Sequence, residues 1–354
     1  MKFNPKLETF KPYVPVTENY KIRLDANESC FNVNRRFLSK FRKEISRLDF
    51  NRYPDPTCAA LREAFGKCFR VRPEQVVCGN GSDELLNLIA ETFASKGDRV
   101  VTFAQDFSMY AFYSRLMECE VLELEKREDL TVDVEEAISA CREGNARLLF
   151  LSNPCNPTSL VLDRKQVNKL VSSVPDTLVV LDEAYMDFSS ESYLGELKKH
   201  DNLIVLKTLS KAFGMAAIRL GFAVTSTEIA GLLNTTRSPY NVNALTQIAG
   251  RLALSSRAAM EGRAEELTDS KTDLFNGLKK IEEISKGDFV PVDGETNFVY
   301  VRTSKVRQID AYLRKRGISV RAFDGYLRIT AGTDEENAEL LQCLDEAAGI
   351  LWIE

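Results

Sequence analysis

The chain has 354 residues, and its contents of 44% hydrophobic and 28% charged residues are typical of a soluble globular protein with one large and one smaller domain, or two comparable domains. The formal net charge of -5 excludes a general nucleic-acid binder, since no basic excess is available to neutralise phosphates. The apolar runs are too short for a membrane span. The eight cysteines show no pairing pattern, so we expect a cytoplasmic protein. The single histidine argues against a zinc site, so we expect no metal.

After an N-terminal arm over residues 1–24, the chain begins to alternate between strand and helix patterns. The first clear strand is QVVCG (75–79). The helix after it covers SDELLNLIAETF (82–93), where Ser82 or Asp83 would cap the first turn.

The same alternation continues through the middle of the chain. Further strands are predicted at 98–103, 146–154, 177–185 and 202–210, with helices at 108–117, 133–142 and 163–174. Short apolar runs separated by helices are typical of a parallel sheet covered on both faces. We therefore predict a three-layer α/β domain with a mainly parallel sheet over residues 25–243.

From residue 244 the pattern changes to long charged helices, including a run rich in Lys and Glu from 257 to 283. Strands at 296–303 and 326–330 and helices at 308–317 and 335–347 follow. This pattern predicts a smaller α+β domain over residues 244–354. No long linker precedes it, so we expect the two domains to share an interface and a cleft.

Polar side chains follow four of the predicted strands, at the carboxyl ends where open α/β sheets bind ligands. They are Asp182 and Tyr185 after one strand, Asn156 after the second, Ser210 and Lys211 after the third, and a glycine turn after the fourth. A strand-end carboxylate is often simply solvated, and a lysine can reach water with its amine. Four such ends together are harder to explain as packing.

The glycine turn CGNGSDE (78–84) has two interpretations. A dinucleotide-binding fingerprint would need a third glycine where the chain has Glu84, which argues against a dehydrogenase. A helix start after a turn instead presents free N–H groups to an anion. These groups belong to Gly81, Ser82 and Asp83, and the side chains of Ser210 and Arg219 are candidate further donors.

One cofactor satisfies the whole set of strand ends: pyridoxal 5'-phosphate, which carries a phosphate, a pyridine nitrogen, a phenolic oxygen and an aldehyde. Asp182 would be the counter-ion of the cationic ring nitrogen. Tyr185 and Asn156 would donate to the ring from the other side. Lys211, partly desolvated and therefore nucleophilic, would form a Schiff base.

At this point the sequence resembles the fold-type I pyridoxal-phosphate aminotransferases of class I and II, and among them the histidinol-phosphate aminotransferase family. The stretches that carry the resemblance are LDANES (24–29), NRYPDP (51–56), CGNGSDE (78–84), SNPCNPT (152–158), LDEAYMDF (181–188), TLSKAFGMAAIRLGF (208–222) and YLRITAGT (326–333). They span nearly the whole chain, so the likeness is global and implies the type I transferase fold.

The resemblance implies a role for each cofactor-binding residue. Lys211 would hold the cofactor and later move the proton, Asp182 would pair with the ring nitrogen, and Tyr185 and Asn156 would bond the phenolic oxygen. Ser82, Ser210 and Arg219 would bind the phosphate with the Gly81 and Asp83 backbone. Phe107 would stack on the ring where the family often has a tyrosine.

The resemblance also implies a substrate site and a homodimer. Arg328 would clamp the substrate carboxylate through a two-point contact. Tyr13, Tyr53 and Arg321 would bind the distal phosphate, and Asn27 and Asn156 also belong to the substrate-binding set. Tyr53 would reach across into the other subunit's site.

Two stretches depart from the family pattern. Cys155 and Ser159 replace an asparagine and a glycine of NPNNPTG, and MAAIRLG replaces LAGLRLG. Serine tolerates a positive φ worse than glycine, so the sequence leaves the geometry of the turn after Asn156 open. Cys155 has no basic neighbour in sequence that would indicate a reactive thiolate.

The implied reaction is amino transfer between L-histidinol phosphate and 2-oxoglutarate in histidine biosynthesis, which gives imidazole acetol phosphate and L-glutamate. Three alternatives remain open. The same scaffold serves aromatic or broad-range aminotransferases, it also serves threonine-phosphate decarboxylases, and a non-catalytic ligand-binding protein is the most remote of the three.

Overall fold

The structure is a computed structural model that describes residues 4–12, 17–189 and 192–352. Its strands are β1 (Ile22–Leu24), β2 (Val76–Gly79), β3 (Arg99–Phe103), β4 (Glu120–Leu124), β5 (Leu148–Ser152), β6 (Leu178–Asp182), β7 (Leu203–Thr208), β8 (Gly221–Val224), β9 (Val290–Val292), β10 (Phe298–Arg302), β11 (Ile318–Ala322) and β12 (Tyr326–Thr330). Its α-helices are α1 (Arg35–Ile45), α2 (Ala59–Phe69), α3 (Gly81–Phe93), α4 (Met109–Leu116), α5 (Val134–Glu143), α6 (Arg164–Ser173), α7 (Thr227–Thr236), α8 (Ala244–Leu254), α9 (Arg257–Ile284), α10 (Val306–Lys315) and α11 (Asp334–Leu351).

The larger sheet has seven strands in the order β2-β8-β7-β6-β5-β3-β4, and only β8 runs antiparallel to its neighbours. Successive residues of one strand enter different apolar cores. Val179 and Leu181 pack on one face of the sheet, whereas Val180 packs on the other. Helices cover both cores, which confirms the predicted three-layer α/β architecture.

Two strands of this sheet were not recognised in the sequence. The edge strand β4 has exposed glutamates and few buried residues, so its pattern is weak. The strand β8 has only four residues and follows an irregular loop. The predicted cap of α3 was also wrong: the helix begins at Gly81, and its first turn has no side-chain cap from Ser82 or Asp83.

The smaller sheet has the order β1-β11-β12-β10-β9, and the N-terminal strand β1 joins it parallel to β11. The 28-residue helix α9 connects the two apolar cores. Met260 and Leu267 near its start pack into a core of the larger sheet, whereas Leu274 and Ile281 pack against the smaller sheet. The helix therefore braces the two sheets against each other.

His200, which the polar sequence around it suggested to be solvated, is in fact buried. Its Nε2 lies 3.1 Å from Asn168 Oδ1, and its ring is 6.2 Å from that of Tyr193.

None of the helices in the described part of the chain combines the length and the apolar composition of a membrane-spanning segment.

A buried ion cluster lies where β6 and β7 run side by side. The amine of Lys207 is 2.8 Å from Asp187 Oδ1 and 3.7 Å from Glu183 Oε2. The side chains of Lys207 and Glu183 are only 2% and 0% exposed. Burial raises the pKa of Glu183, and the charge of Lys207 opposes that rise. The two buried carboxylates stay charged at a low free-energy cost only while the Lys207 cation is present.

Replacement of this cation should cost far more stability than replacement of a surface lysine. We expect Lys207→Met to lower the free energy of unfolding by about 3–5 kcal/mol in urea titrations, because two buried carboxylates lose their counter-ion. The control is Lys199→Met, since Lys199 is 59% exposed and pairs with Glu196. This change should cost below about 1 kcal/mol. Equal losses would contradict the assignment.

Candidate active site

A cavity of about 320 Å³ opens at the carboxyl ends of the central strands of the larger sheet. Most of the predicted site residues line it, namely Asn27, Ser82, Asp83, Phe107, Asn156, Asp182, Tyr185, Ser210, Lys211, Arg219, Arg321 and Arg328. Residues from the smaller sheet thus meet residues from the larger one. The structure brings together residues that are up to 303 positions apart in the sequence, as where the Arg328 side chain donates to the Asp25 carbonyl.

Asp182 forms the buried floor of the cavity at the end of β6. Its Oδ2 accepts a hydrogen bond of 3.0 Å from the Tyr110 hydroxyl, and its Oδ1 accepts one of 3.0 Å from the Ala184 N–H. Burial raises the pKa of Asp182 from 3.8 to about 7, and the nearby carboxylates Asp106 and Asp83 add to the rise. A cation bound here would stabilise the charged form of Asp182 and lower its pKa.

Tyr110 was missed in the sequence, although its hydroxyl is a direct partner of Asp182. Its ring lies in α4, stacked on Phe150 at 5.5 Å, and Phe107 meets it edge-on at 5.6 Å. The only available signal was its position one helical turn after Phe107. Apolar neighbours on the helix favoured a core tyrosine instead.

Lys211 lies at the mouth of the cavity and is half-buried. Its amine donates to the carbonyl oxygens of Ala26 at 3.1 Å and Asn27 at 3.2 Å, and it lies 5.6 Å from the centre of the Tyr185 ring. The hydroxyl of Tyr185 accepts a hydrogen bond of 2.8 Å from the Asn27 amide. The amine, the phenol and the amide therefore form one group on the wall of the cavity.

The anion-binding end of the cavity is formed by the start of α3. Gly81 has a φ of +80°, and a Cβ there would lie 2.6 Å from the Arg219 guanidinium. Arg219 donates to the Ser210 hydroxyl at 3.4 Å and lies 3.6 Å from Asp83. Burial raises the pKa of Asp83, while Arg219 and Lys211 lower it. Free N–H groups, a hydroxyl and a guanidinium thus converge, as a phosphate site requires.

Thr208 is a further residue of this end that the sequence did not indicate. Its hydroxyl donates to Ser210 Oγ at 3.0 Å and accepts from the Ser210 N–H at 3.1 Å. It lines the same cavity. Because these bonds orient the Ser210 hydroxyl, Thr208 supports the anion site from behind.

Two arginines face each other across neighbouring strands of the smaller sheet. Arg321 in β11 is paired in register with Arg328 in β12. Arg328 donates to Asn156 Oδ1 and to the Asp25 carbonyl, each at 2.7 Å. A second cavity of about 280 Å³ shares both arginines with the first, so the site continues beyond the cofactor-sized space.

Of the two tyrosines predicted in the N-terminal region, Tyr53 does not line this cavity. Tyr13 lies outside the described residues. Tyr53 is 81% exposed and stacks on Tyr240 with ring centres 4.6 Å apart. In this single chain it therefore presents an aromatic surface to solvent.

The two departures from the family pattern have different outcomes. Ser159 adopts a φ of +63°, so the turn keeps the conformation that favours glycine. Cys155, which has no basic neighbour in sequence, has one in space: the Lys126 amine lies 2.9 Å from its sulfur. Lys126 comes 29 residues earlier in the chain, so no inspection of local sequence could have found it.

The chain was compared with known proteins and structures. The model of the family described as aminotransferase class I and II matches residues 19–344. The chain is 34% identical to histidinol-phosphate aminotransferase of Clostridium novyi (strain NT), over 97% of this chain and 96% of the relative. It is 36% identical to histidinol-phosphate aminotransferase 1 of Carboxydothermus hydrogenoformans, over 97% and 98%.

Among solved structures, histidinol-phosphate aminotransferase from Sinorhizobium meliloti in complex with pyridoxal-5'-phosphate has a TM-score of 0.88. It shares 23% identity and covers 99% of this chain and 98% of its own. This likeness shows the fold.

The raised pKa of Asp182 predicts a particular dependence of stability on pH in the protein without cofactor. The folded protein retains a proton between pH of about 4 and 7 that the unfolded chain has released, so the free energy of unfolding falls as pH rises through this window. Asparagine has no such proton. We expect Asp182→Asn to exceed the native protein in stability at pH of about 8 by on the order of 2–4 kcal/mol, with little difference near pH 4.

Denaturant titrations across this pH range test the expectation. The control is Asp129→Asn, since Asp129 is exposed and the hydrogen bond from the Thr131 hydroxyl lowers its pKa. That variant should gain no stability at high pH. A pH-independent difference between Asp182→Asn and the native protein would contradict a raised pKa at position 182.

Proposed function

Since the chain belongs to the aminotransferase class I and II family, we propose that it transfers the amino group of L-histidinol phosphate to 2-oxoglutarate with pyridoxal 5'-phosphate as cofactor. The products are imidazole acetol phosphate and L-glutamate. The observation that carries the proposal is one cavity that holds Lys211, the buried Asp182, the Arg219 anion site and two paired arginines. The names of the relatives at 34% and 36% identity support the substrate.

The residues of the cavity fit pyridoxal phosphate in charge and in chemistry. Asp182 is a buried carboxylate whose pKa is raised by burial and by other carboxylates. A protonated ring nitrogen beside it would lower the free-energy cost of its charged form. The Arg219 end supplies donors for the phosphate. Tyr185 and Asn156 would bond the phenolic oxygen, Phe107 would cover the ring, and Lys211 would hold the aldehyde carbon.

When bound, the cofactor supplies an electrophilic carbon that takes up the amino group and a ring that draws electrons from the α-carbon. Asp182 would keep its charge and thereby favour a proton on the ring nitrogen. Lys211 would move the α-proton of the substrate, taking it up on Nζ and releasing it to the carbon that has received the amino group. The hydrogen bonds of its amine to the carbonyl oxygens of Ala26 and Asn27 hold it at the wall of the cavity.

The two arginines would divide the recognition of two different substrates. Arg328 would bind the α-carboxylate of glutamate or 2-oxoglutarate through two parallel hydrogen bonds. Histidinol phosphate has no carboxylate, and its phosphate would instead be bound by Arg321. The second cavity next to both arginines offers space for the imidazole side chain. This second cavity has a volume of about 280 Å³ and adjoins the cavity proposed to hold the cofactor.

Steady-state assays with a panel of amino donors test the substrate. We expect histidinol phosphate to be the preferred donor, and Arg321→Gln to lower its kcat/KM about 10–100-fold, because a charge-assisted phosphate contact is lost. The control is Arg316→Gln, which removes an exposed arginine paired with Glu346. Faster turnover with aromatic amino acids than with histidinol phosphate would contradict the proposal. Release of CO₂ from threonine phosphate would assign a decarboxylase instead.

We further propose that the active form is a homodimer in which Tyr53 completes the site of the partner subunit. The support is the exposed aromatic pair of Tyr53 and Tyr240, neither of which lines the cavity of its own chain. Exposed aromatic surface of this kind is typical of protein interfaces. The resemblance to the family points to the same residue.

Mixing two inactive variants tests this arrangement. Lys211→Ala and Tyr53→Ala should each be nearly inactive alone. If Tyr53 acts across the interface, refolding the two together gives mixed dimers with one intact site, and activity returns to about a quarter of that of the native protein. A mixture that stays as inactive as its components would place Tyr53 in the site of its own chain or outside it. An affinity tag on Lys211→Ala alone is the control for exchange, because it retains untagged Tyr53→Ala only where mixed dimers have formed.

A further inference from the structure

We infer that Cys155 and Lys126 form an oxidation-sensitive pair that a hydroperoxide converts into a covalent sulfur–nitrogen cross-link beside the active site. The pair is distinct from the residues proposed to bind cofactor or substrate. The Lys126 amine lies 2.9 Å from the Cys155 sulfur and also donates to the Gln105 carbonyl at 2.8 Å. The two atoms that would bond are already in contact.

The surroundings hold both groups in place. The Cys155 N–H donates to the Leu160 carbonyl, and the Cys155 carbonyl accepts from the Ser159 N–H, each at 2.8 Å. The sulfur is therefore fixed on a closed turn. Lys126 lies just after β4, and its amine is held by the hydrogen bond that it donates to the Gln105 carbonyl. Neither partner has to move far to react.

The contact places the Lys126 amine directly against the Cys155 sulfur. Burial lowers the pKa of Lys126, but Cys155 and Asp106 outweigh it and raise the pKa, so the amine carries its charge. A cationic amine in contact with a sulfur stabilises the thiolate form. Asp106 accepts from Ser152 and from the Phe107 N–H, and its own pKa is raised by burial and lowered by Lys126. The thiolate is the form that reacts with peroxide.

Cys155 is only 5% exposed, so a small oxidant would have to approach it from the neighbouring cavity. The cavity of about 280 Å³ is lined by Gln105, Asp106, Asn156 and Pro157, which are neighbours of the pair on both sides. Hydrogen peroxide is the size of two waters, and it needs only to reach the wall of this cavity.

The chemistry balances with one equivalent of peroxide. The Cys155 thiolate attacks one oxygen of H₂O₂, which leaves a sulfenic acid and a hydroxide, and the hydroxide takes a proton from the Lys126 ammonium to become the first water. The neutral amine of Lys126 then attacks that sulfur. A sulfur–nitrogen bond forms, the sulfur–oxygen bond breaks, and the hydroxyl leaves with a proton from the amine as the second water. The sulfur is oxidised and the peroxide is reduced. Two equivalents of a thiol reductant reverse the step and are themselves joined as a disulfide.

The cross-link has a consequence for the site because Asn156 follows Cys155 directly. Asn156 accepts a hydrogen bond from Arg328 and lines both cavities. A bond from Cys155 to Lys126 shortens the sulfur–nitrogen distance from that of a hydrogen bond to that of a covalent bond. The turn that carries Asn156 is then pulled toward β4, and activity is expected to fall reversibly.

Peptide mapping of the purified native protein after peroxide treatment tests the inference. Cross-linked Lys126 is no longer cleaved by trypsin, so we expect one joined species of residues 116–127 with residues 148–164, lighter than the sum of its parts by about 2 Da. Dithiothreitol should separate the two peptides and restore activity. Recovery of both peptides unlinked from peroxide-treated protein overturns the inference.

Three controls make the result specific. Cys155→Asn carries the residue usual in the family. After peroxide treatment its two peptides should be recovered unlinked, and its activity should not fall. Lys126→Gln should stop at the sulfenic acid, which dimedone traps on Cys155. Cys141→Ser removes a buried cysteine of α5 and should cross-link like the native protein. Native protein unfolded in guanidinium before treatment should form no link, and a link formed there would show that the folded geometry is not its cause.

Discussion

A carboxylate buried at the end of an all-apolar strand is the constraint on which the rest of this site depends. Leu178 to Leu181 carry β6 through the sheet between the two cores, and Asp182 ends it with 4% exposure. Charging such a group in isolation costs free energy, which its raised pKa expresses. Tyr110 and the Ala184 N–H satisfy its oxygens but bring no positive charge. The pocket is thus prepared for a cation that the protein itself does not provide at that point.

The second feature of the site is that it is built across both sheets. Asn27, next to β1, donates to Tyr185 from the larger sheet, and its own N–H donates to Thr330 at the end of β12. Arg328 in β12 bonds Asn156 in the loop after β5. These contacts fix the position of the smaller sheet relative to the residues at the strand ends of the larger one. Under the proposed roles, the residues for substrate and those for cofactor are therefore held together by a few side-chain amides.

The loop after β5 shows how a departure from a family pattern can be neutral in one respect and informative in another. Ser159 keeps the left-handed conformation that glycine would adopt more cheaply, so the chain preserves the turn at some cost in backbone energy. Cys155, in the same loop, lies beside a lysine. The backbone at Ser159 thus has the conformation that favours glycine, whereas the side chain at position 155 brings a chemistry that asparagine does not have.

The sequence by itself determined the parallel sheet, the strand ends and the nature of the cofactor, because apolar period, glycine turns and charged residues after strands are local patterns. Lys211, Asp182 and Arg219 could be selected from such patterns, and the family resemblance added the roles of Arg321 and Arg328. Only the tertiary structure decided that Tyr110 bonds Asp182, that Thr208 orients Ser210, that His200 is buried and that Lys126 meets Cys155. These contacts join residues on different elements or on faces that periodicity does not separate. Their existence depends on how the elements pack, a property that no short stretch of chain contains.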